Sequence, residues 1–150
     1  MGESACYAHL LDESGRIPDR VQIYLQRAYD LTRPSIGKRI LVDRIWPRGV
    51  KREQLHLDAW PRDLAPSTEL RHWFGHDPKR WEEFRQRYRE ELKEPGRKAE
   101  LEKLASLASQ GPITLLFGAR DTEHNQAVVI RAALEEMLAI PTRDNGEVDD

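Results

Sequence analysis

"GPITLLFG", residues 111–118, is the stretch whose reading decides the fold. Gly111 and Pro112 start it, Gly118 ends it, and the side chains between them are apolar on both faces of an extended chain. A strand with one face in water alternates apolar and polar residues, and this run does not alternate. It predicts a strand covered on both sides, in a sheet sandwiched between helices.

Two further strands come before it. "VQIYLQRAY" (21–29) alternates Val21, Ile23 and Leu25 with polar residues, the pattern of a half-buried strand. "RILV" (39–42) follows Gly37 as a short apolar run and reads as fully buried. The middle of the chain is helical. Ser67 is placed to cap "TELRHWF", with Glu69 in the first turn and Gly75 as the stop. Asp77-Pro78 supplies a second cap with proline at the first helical position. Trp81, Phe84, Tyr88 and Leu92 then recur at helical spacing until "EPG" (94–96). A helix over about 97–109 carries Leu101, Leu104, Ala105 and Ala108, and a last one over about 122–139 carries Ile130, Leu134, Met137 and Leu138. The order strand, strand, helices, strand, helix predicts an α/β domain over residues 21–140, a small mostly parallel sheet flanked by helices in three layers. The connection 30–38 is short for a parallel crossover, which leaves an antiparallel first pair open.

A length of 150 residues suits one domain. Lys+Arg 24 against Asp+Glu 26 gives a net charge of −2, so the molecule as a whole has no electrostatic claim on nucleic acid. Arginine outnumbers lysine 18 to 6, which suits planar anion recognition but follows equally from the codon usage of a GC-rich genome. Cys6 is the single cysteine, so no intramolecular disulfide forms, and a reducing cytoplasm is expected. No apolar run approaches the ~18–20 residues that cross a bilayer. Residues 1–20 lack a basic start followed by an apolar stretch and read as a flexible N-terminal extension rather than a secretory signal. Residues 141–150 read as a disordered acidic tail.

Ligands of open α/β sheets sit outside the carboxyl ends of parallel strands. Here those ends are polar: Tyr29-Asp30 after the first strand, Asp43-Arg44 and Arg48-Gly49 after the second, Arg120-Asp121 after the third. If the three strands are parallel, carboxylates, guanidinium groups and a phenol gather at one mouth, with the start of the last helix adding an anion-friendly pole. Each residue also has a plainer reading. Asp121 caps the final helix; Asp43 and Arg44 pair with each other or with Arg120; Trp46-Pro47 packs as a loop; Tyr29 packs with its hydroxyl satisfied. Gathering charges at a partly buried strand end is costly unless they are paired or used, and this convergence favours a site.

The residues permit general acid/base chemistry by Asp43, Asp121 or His76, with arginines holding an anion. Cys6 lies in the extension and Ser67 reads as a cap, so no nucleophile stands out. No Walker loop, Gly-x-Ser-x-Gly elbow or Gly-x-Gly-x-x-Gly fingerprint names a cofactor. His72 and His76 are separated by Gly75, and no zinc-ligand spacing appears. Asp43 with Asp121 is the pair that would hold a hydrolytic divalent metal.

"RAYD", "RILVDRIWPRG", "LAPSTELRHWFGHDPKRWEEFRQRYREEL" and "PITLLFGARDTEHNQAVV" together resemble the YeaO-like branch of a bacterial family, domain of unknown function 488. The likeness covers roughly residues 21–138. It implies a small cytoplasmic α/β protein and names no reaction. In longer relatives a helix separates the first two strands, which implies the parallel arrangement here. Those relatives tend to carry a Cys-His-Arg cluster at the start of the last helix, where this chain has His124, Asn125 and Gln126. Matched by motif position, the implied site residues are Tyr29, Asp30, Asp43, Arg44, Arg48, Ser67, Arg71, His76, Asp121 and Asn125.

The leading expectation is a protein that binds or processes a small anionic ligand bearing phosphate or carboxylate. Arg44, Arg48 and Arg120 would hold the anion, and Asp43 or Asp121 would act as base or metal ligand. The alternative is a nucleic-acid-binding or regulatory module, suggested by the arginines of "KRWEEFRQRYRE". Glutamates interrupt that charge, and spacings such as Glu83–Arg87 suit a solvated helix face. A third reading is an interaction protein that uses Trp60 or Trp73 as a partner surface rather than as core. The sequence sets no oligomeric state.

Overall fold

A computed structural model describes residues 21–30 and 34–143. The expected N-terminal extension, and the acidic tail from residue 144 onward, lie outside the described residues. Three strands form the sheet: β1 (Ile23–Arg27), β2 (Lys38–Leu41) and β3 (Ile113–Phe117). Their order is β1-β3-β2 and both pairings are parallel, with Ile113 opposite Ile23 on one side and Lys38 on the other. All five residues of β3 are buried, as expected for a strand covered on both faces.

β1 and β2 run parallel without touching, each paired to β3. Ser35 and Ile36, in the short connection between them, are held against the sheet by side chains. Ser35 Oγ donates to Gln26 Oε1 at 2.8 Å, and Thr114 Oγ1 both accepts from Ile36 N at 3.1 Å and donates to Ile36 O at 2.7 Å. Gln26 and Thr114 are thereby buried polar residues with their hydrogen bonds met. Strict alternation in β1 would have put Gln26 in water; the connection covers it instead. Gly37 closes the turn with φ +72°, and a Cβ there would fall 1.9 Å from Pro112 O. Only glycine fits such an approach.

Among the described residues five helices surround the sheet: α1 (Arg52–Leu55), α2 (Thr68–Phe74), α3 (Trp81–Glu91), α4 (Pro95–Gln110) and α5 (Gln126–Arg143). Two 3-10 turns, Arg62–Leu64 and Pro78–Arg80, precede α2 and α3. Ser67 caps α2 by accepting from Leu70 N at 3.1 Å, and Gly75 ends it with φ 52°. α5 begins at Gln126 rather than near 122, and it continues past 140 to Arg143.

The two faces of the sheet are packed unequally. Ile40, Val42, Leu115 and Phe117 meet Phe74, Phe84, Tyr88, Leu104, Ile130 and Leu134 in the main core. The other face is a smaller cluster of Ala28, Leu41, Leu55 and Leu116, roofed by Trp46, Val50, Leu57 and Trp60. Each fully buried Leu, Ile or Phe contributes about 1.5–3 kcal/mol, so the helical side carries most of the stability. The third layer is thus one short helix and a loop with two tryptophans, and that loop is the stretch leading away from Asp43.

Candidate functional site

Parallel pairing brings all three strand ends to one edge of the sheet, where a cleft of about 590 Å³ opens. Asp43, Arg44 and Arg48 line it from the segment after β2, Tyr29 from the end of β1, and Gly118 from the end of β3. Arg71 and His76 come from α2 and the reversal behind it, and Asn125 and Gln126 from the start of α5. Phe74, Phe84 and Pro47 supply buried apolar wall. Seven of the eleven residues expected from sequence therefore share the cleft: Tyr29, Asp43, Arg44, Arg48, Arg71, His76 and Asn125. Asp30, Ser67, Arg120 and Asp121 do not line it.

Asp43 is the most constrained of these groups. Its Oδ2 accepts from Gly118 N at 2.8 Å, its Oδ1 accepts from the Gln126 side-chain amide, and its own carbonyl accepts from Trp60 Nε1 at 2.7 Å. Burial raises its carboxyl pKa from 3.8 to about 6, against the opposing pull of those two hydrogen bonds and of the nearby His76 and Arg71 charges. The close approach needs Gly118: a Cβ there would lie 2.9 Å from Asp43 Oδ2 and 3.6 Å from the Tyr29 ring. Arg27, at the end of β1, ties the exits of β1 and β3 together by donating from Nε to Ala119 O at 2.9 Å. Its guanidinium also lies 5.2 Å from the centre of the Tyr29 ring.

The wall formed by Leu64 to Ser67 is clamped group by group. Tyr88 Oη donates to Leu64 O at 2.6 Å, Arg97 Nε to Ala65 O at 2.9 Å and Arg71 Nε to Pro66 O at 3.2 Å. Ser67 donates from its backbone N and its hydroxyl to the Glu91 carboxylate at 2.9 and 2.6 Å. Ser67 is a cap with its hydroxyl already engaged. Arg71 is also tied to Thr68 Oγ1 at 3.1 Å, which fixes the guanidinium beside the cleft. Gly75 and His76 both take positive φ, 52° and 57°, and turn the chain sharply so that His76 lines the cleft and stands exposed. A side chain in that conformation costs about 1 kcal/mol.

Asp121 builds a local turn: its Oδ1 accepts from Glu123 N at 2.9 Å and His124 N at 3.0 Å, and its Oδ2 meets His124 Nδ1 at 2.9 Å. The backbone donors and His124 hold its pKa below the ordinary carboxylate value. The cap of α5 is Asn125, whose Oδ1 accepts from Ala127 N at 2.9 Å and Val128 N at 3.2 Å while its amide donates to Asp121 O at 2.8 Å. Asn125 therefore positions the helix that carries Gln126. Arg44 makes a 3.5 Å contact with Asp63 and pairs with neither Asp43 nor Arg120, and with both partners exposed it is worth at most about 1 kcal/mol. Trp60 and Trp73, the expected partner surface, are each half-buried: Trp60 packs edge-on to Trp46 at 5.4 Å, and Trp73 packs on the main core. Among the described residues no three His, Cys, Asp or Glu side chains are grouped to cage a metal ion, and Asp43 and Asp121 do not face one cleft.

Sequence reasoning missed Gln126, Gly118 and Arg27. Gly118 carried a usable signal, since a glycine directly after a buried strand often admits a close neighbour. For Gln126 and Arg27 there was none, because their partners lie far away in the chain.

A three-stranded parallel sheet flanked by helices, with a polar cleft at its strand ends, defines an α/β protein. A family model described as "Inactive DUF488-N3 subclade" matches residues 22–149. Uncharacterized protein YeaO of Escherichia coli is 42% identical over 110 residues, covering 73% of this chain and 94% of the relative. Uncharacterized protein Rv3073c of Mycobacterium tuberculosis is 42% identical over 93 residues, covering 62% of this chain and 79% of the relative. The chain belongs to the DUF488 family and is YeaO-like. No solved structure matches it, and among the described residues no helix is long and apolar enough to cross a membrane.

Proposed function

We propose that the protein is a cytoplasmic binding protein that holds a small anionic ligand, bearing phosphate or carboxylate, in the strand-end cleft. The observation that carries this reading is the pairing state of its arginines. On the helical surface Arg85 is tied to Glu82 at 2.6 Å, Arg87 to Glu83 at 2.5 Å and Arg89 to Glu136 at 2.5 Å. Arg48, exposed at the lip of the cleft, makes no hydrogen bond or ion pair with any described residue. A guanidinium left open beside a concave site, with Arg44 next to it, suits a carboxylate or phosphate through two parallel bonds. The description of the matching subclade as inactive favours holding the ligand over turning it over. So does the His124-Asn125-Gln126 sequence, where longer relatives tend to carry a cysteine-containing cluster. Asp43 and His76 are the cleft groups on which any acid/base processing would rest.

The test is thermal melting against a panel of nucleotides, phosphorylated metabolites and carboxylates, for wild type, Arg44→Ala and Arg48→Ala. A compound present at 100 times its Kd adds about 2.7 kcal/mol, which raises the melting temperature by several degrees. Arg48→Ala is expected to lose most of that rise and Arg44→Ala part of it. The proposal fails if no compound shifts the wild type, or if both variants respond as the wild type does.

A further inference from the structure

The cleft is not uniformly basic. Arg44 and Arg48 stand exposed at its lip, beside Ile45 at 68% exposure and Tyr29 at 43%. Phe74 and Phe84 form a buried apolar wall further in. The inner polar group is a carboxylate, Asp43, pinned between Gly118 N–H and the Gln126 amide. A carboxylate offers about four lone-pair positions. Those two donors occupy one on each oxygen, which leaves capacity on both for a ligand. A bare anion beside Asp43 would meet a part-buried carboxylate whose repulsion Arg71 only offsets, and a volume of about 590 Å³ is far larger than one phosphate or carboxylate group fills. The usual cleft of roughly 300–1,000 Å³ takes an organic body.

We infer that the ligand is two-ended: an anionic group held at the lip by Arg48 and Arg44, an organic body along the Phe74–Phe84 wall, and an amine or N–H donor received by Asp43. This rests on the anion-binding reading above and adds to it the chemistry of the other end. Asp43 acts here as a specificity-determining residue. Its burial makes an unpaired negative charge unfavourable, and a donor from the ligand relieves that cost.

Two matched pairs of probes test it by titration calorimetry at pH 7.5: ethyl phosphate with 2-aminoethyl phosphate, and phenyl phosphate with 4-aminophenyl phosphate. In at least one pair the amino compound is expected to bind about tenfold more tightly to the wild type, the margin of one good hydrogen bond to a charged group. Asp43→Asn should bring the two members of that pair to within about twofold, whereas Arg48→Ala should weaken both members alike. If the members of each pair bind the wild type equally, or if the preference survives Asp43→Asn, the inference is overturned while anion binding stands. If none of the four binds below about 10 mM, the inference is overturned, and the melting panel decides the anion reading separately. The wild-type comparison decides the matter by itself should Asp43→Asn fail to fold.

Discussion

Asp43 stands two residues beyond the end of β2, where the strand's apolar run gives way to a charge that the fold then buries. With its pKa pushed up to about 6, the native chain takes up a proton there at a pH at which the unfolded chain, near 3.8, is still ionised. Stability at this group therefore falls as pH rises from about 4 to about 6 and stays low above that, a cost of up to ~3 kcal/mol at neutral pH. Asp43→Asn is expected to be more stable than the wild type at pH 7.5, by up to about that amount, and to lose the advantage at pH 4. Urea unfolding of both proteins at the two pH values measures it, and a variant less stable at pH 7.5 would contradict the account. Asp43 was legible in the sequence because a carboxylate directly after a buried run has few places to go. Gln126 was not, since nothing local marks which amide will reach residue 43. Asp121 looked equally functional in sequence, yet its bonds to the backbone of residues 123 and 124 are the short-range kind that aspartate forms readily in turns.

Among the elements, the strands and long helices followed from periodicity. β3 is buried throughout and Leu101, Leu104, Ala105 and Ala108 of α4 face the core, as their spacing implied. The start of α5 did not follow, because Asp121 and Asn125 are both good capping residues and only the donors they meet distinguish them. α1 spans too few residues for any period to show. The clamp on Leu64 to Ser67 was also invisible, since its side chains come from α2, α3 and α4. Glu91→Ala leaves the part-buried Ser67 N–H and hydroxyl without their acceptor and should cost about 1–3 kcal/mol in urea unfolding. Glu90→Ala one position away, whose carboxylate meets Lys93 at 3.0 Å with both side chains exposed, should cost at most about 1 kcal/mol. Equal losses in the two variants would mean that the clamp contributes nothing.

At the scale of the molecule, a balanced charge and a paired helical surface argue against a polyanion as partner. α3 presents Arg85 and Arg87 already matched by glutamates one turn away, so few counterions would be released on contact with phosphates. Labelled duplex DNA and single-stranded RNA are expected to show no mobility shift at physiological ionic strength. A shift that weakens with added salt would restore the nucleic-acid reading. The fold class was legible from three short stretches, and the largely apolar β3 implied a sheet covered on both faces. The parallel course of β1 and β2 was not legible from their spacing, because a connection that short looks like a hairpin until Gln26 and Thr114 are seen to hold Ser35 and Ile36 against the sheet.

The strand order β1-β3-β2 has a consequence for how the chain is made. In the folded sheet β1 and β2 do not pair with each other, and the strand both pair with is the last of the three to be synthesised. On a translating ribosome the pairings of β1 and β2 with β3 wait until residue 117 has left the exit tunnel, and until then each earlier strand keeps its β3-facing edge unmatched. The cleft, whose floor hangs from Gly118 and Gln126, is completed last of all.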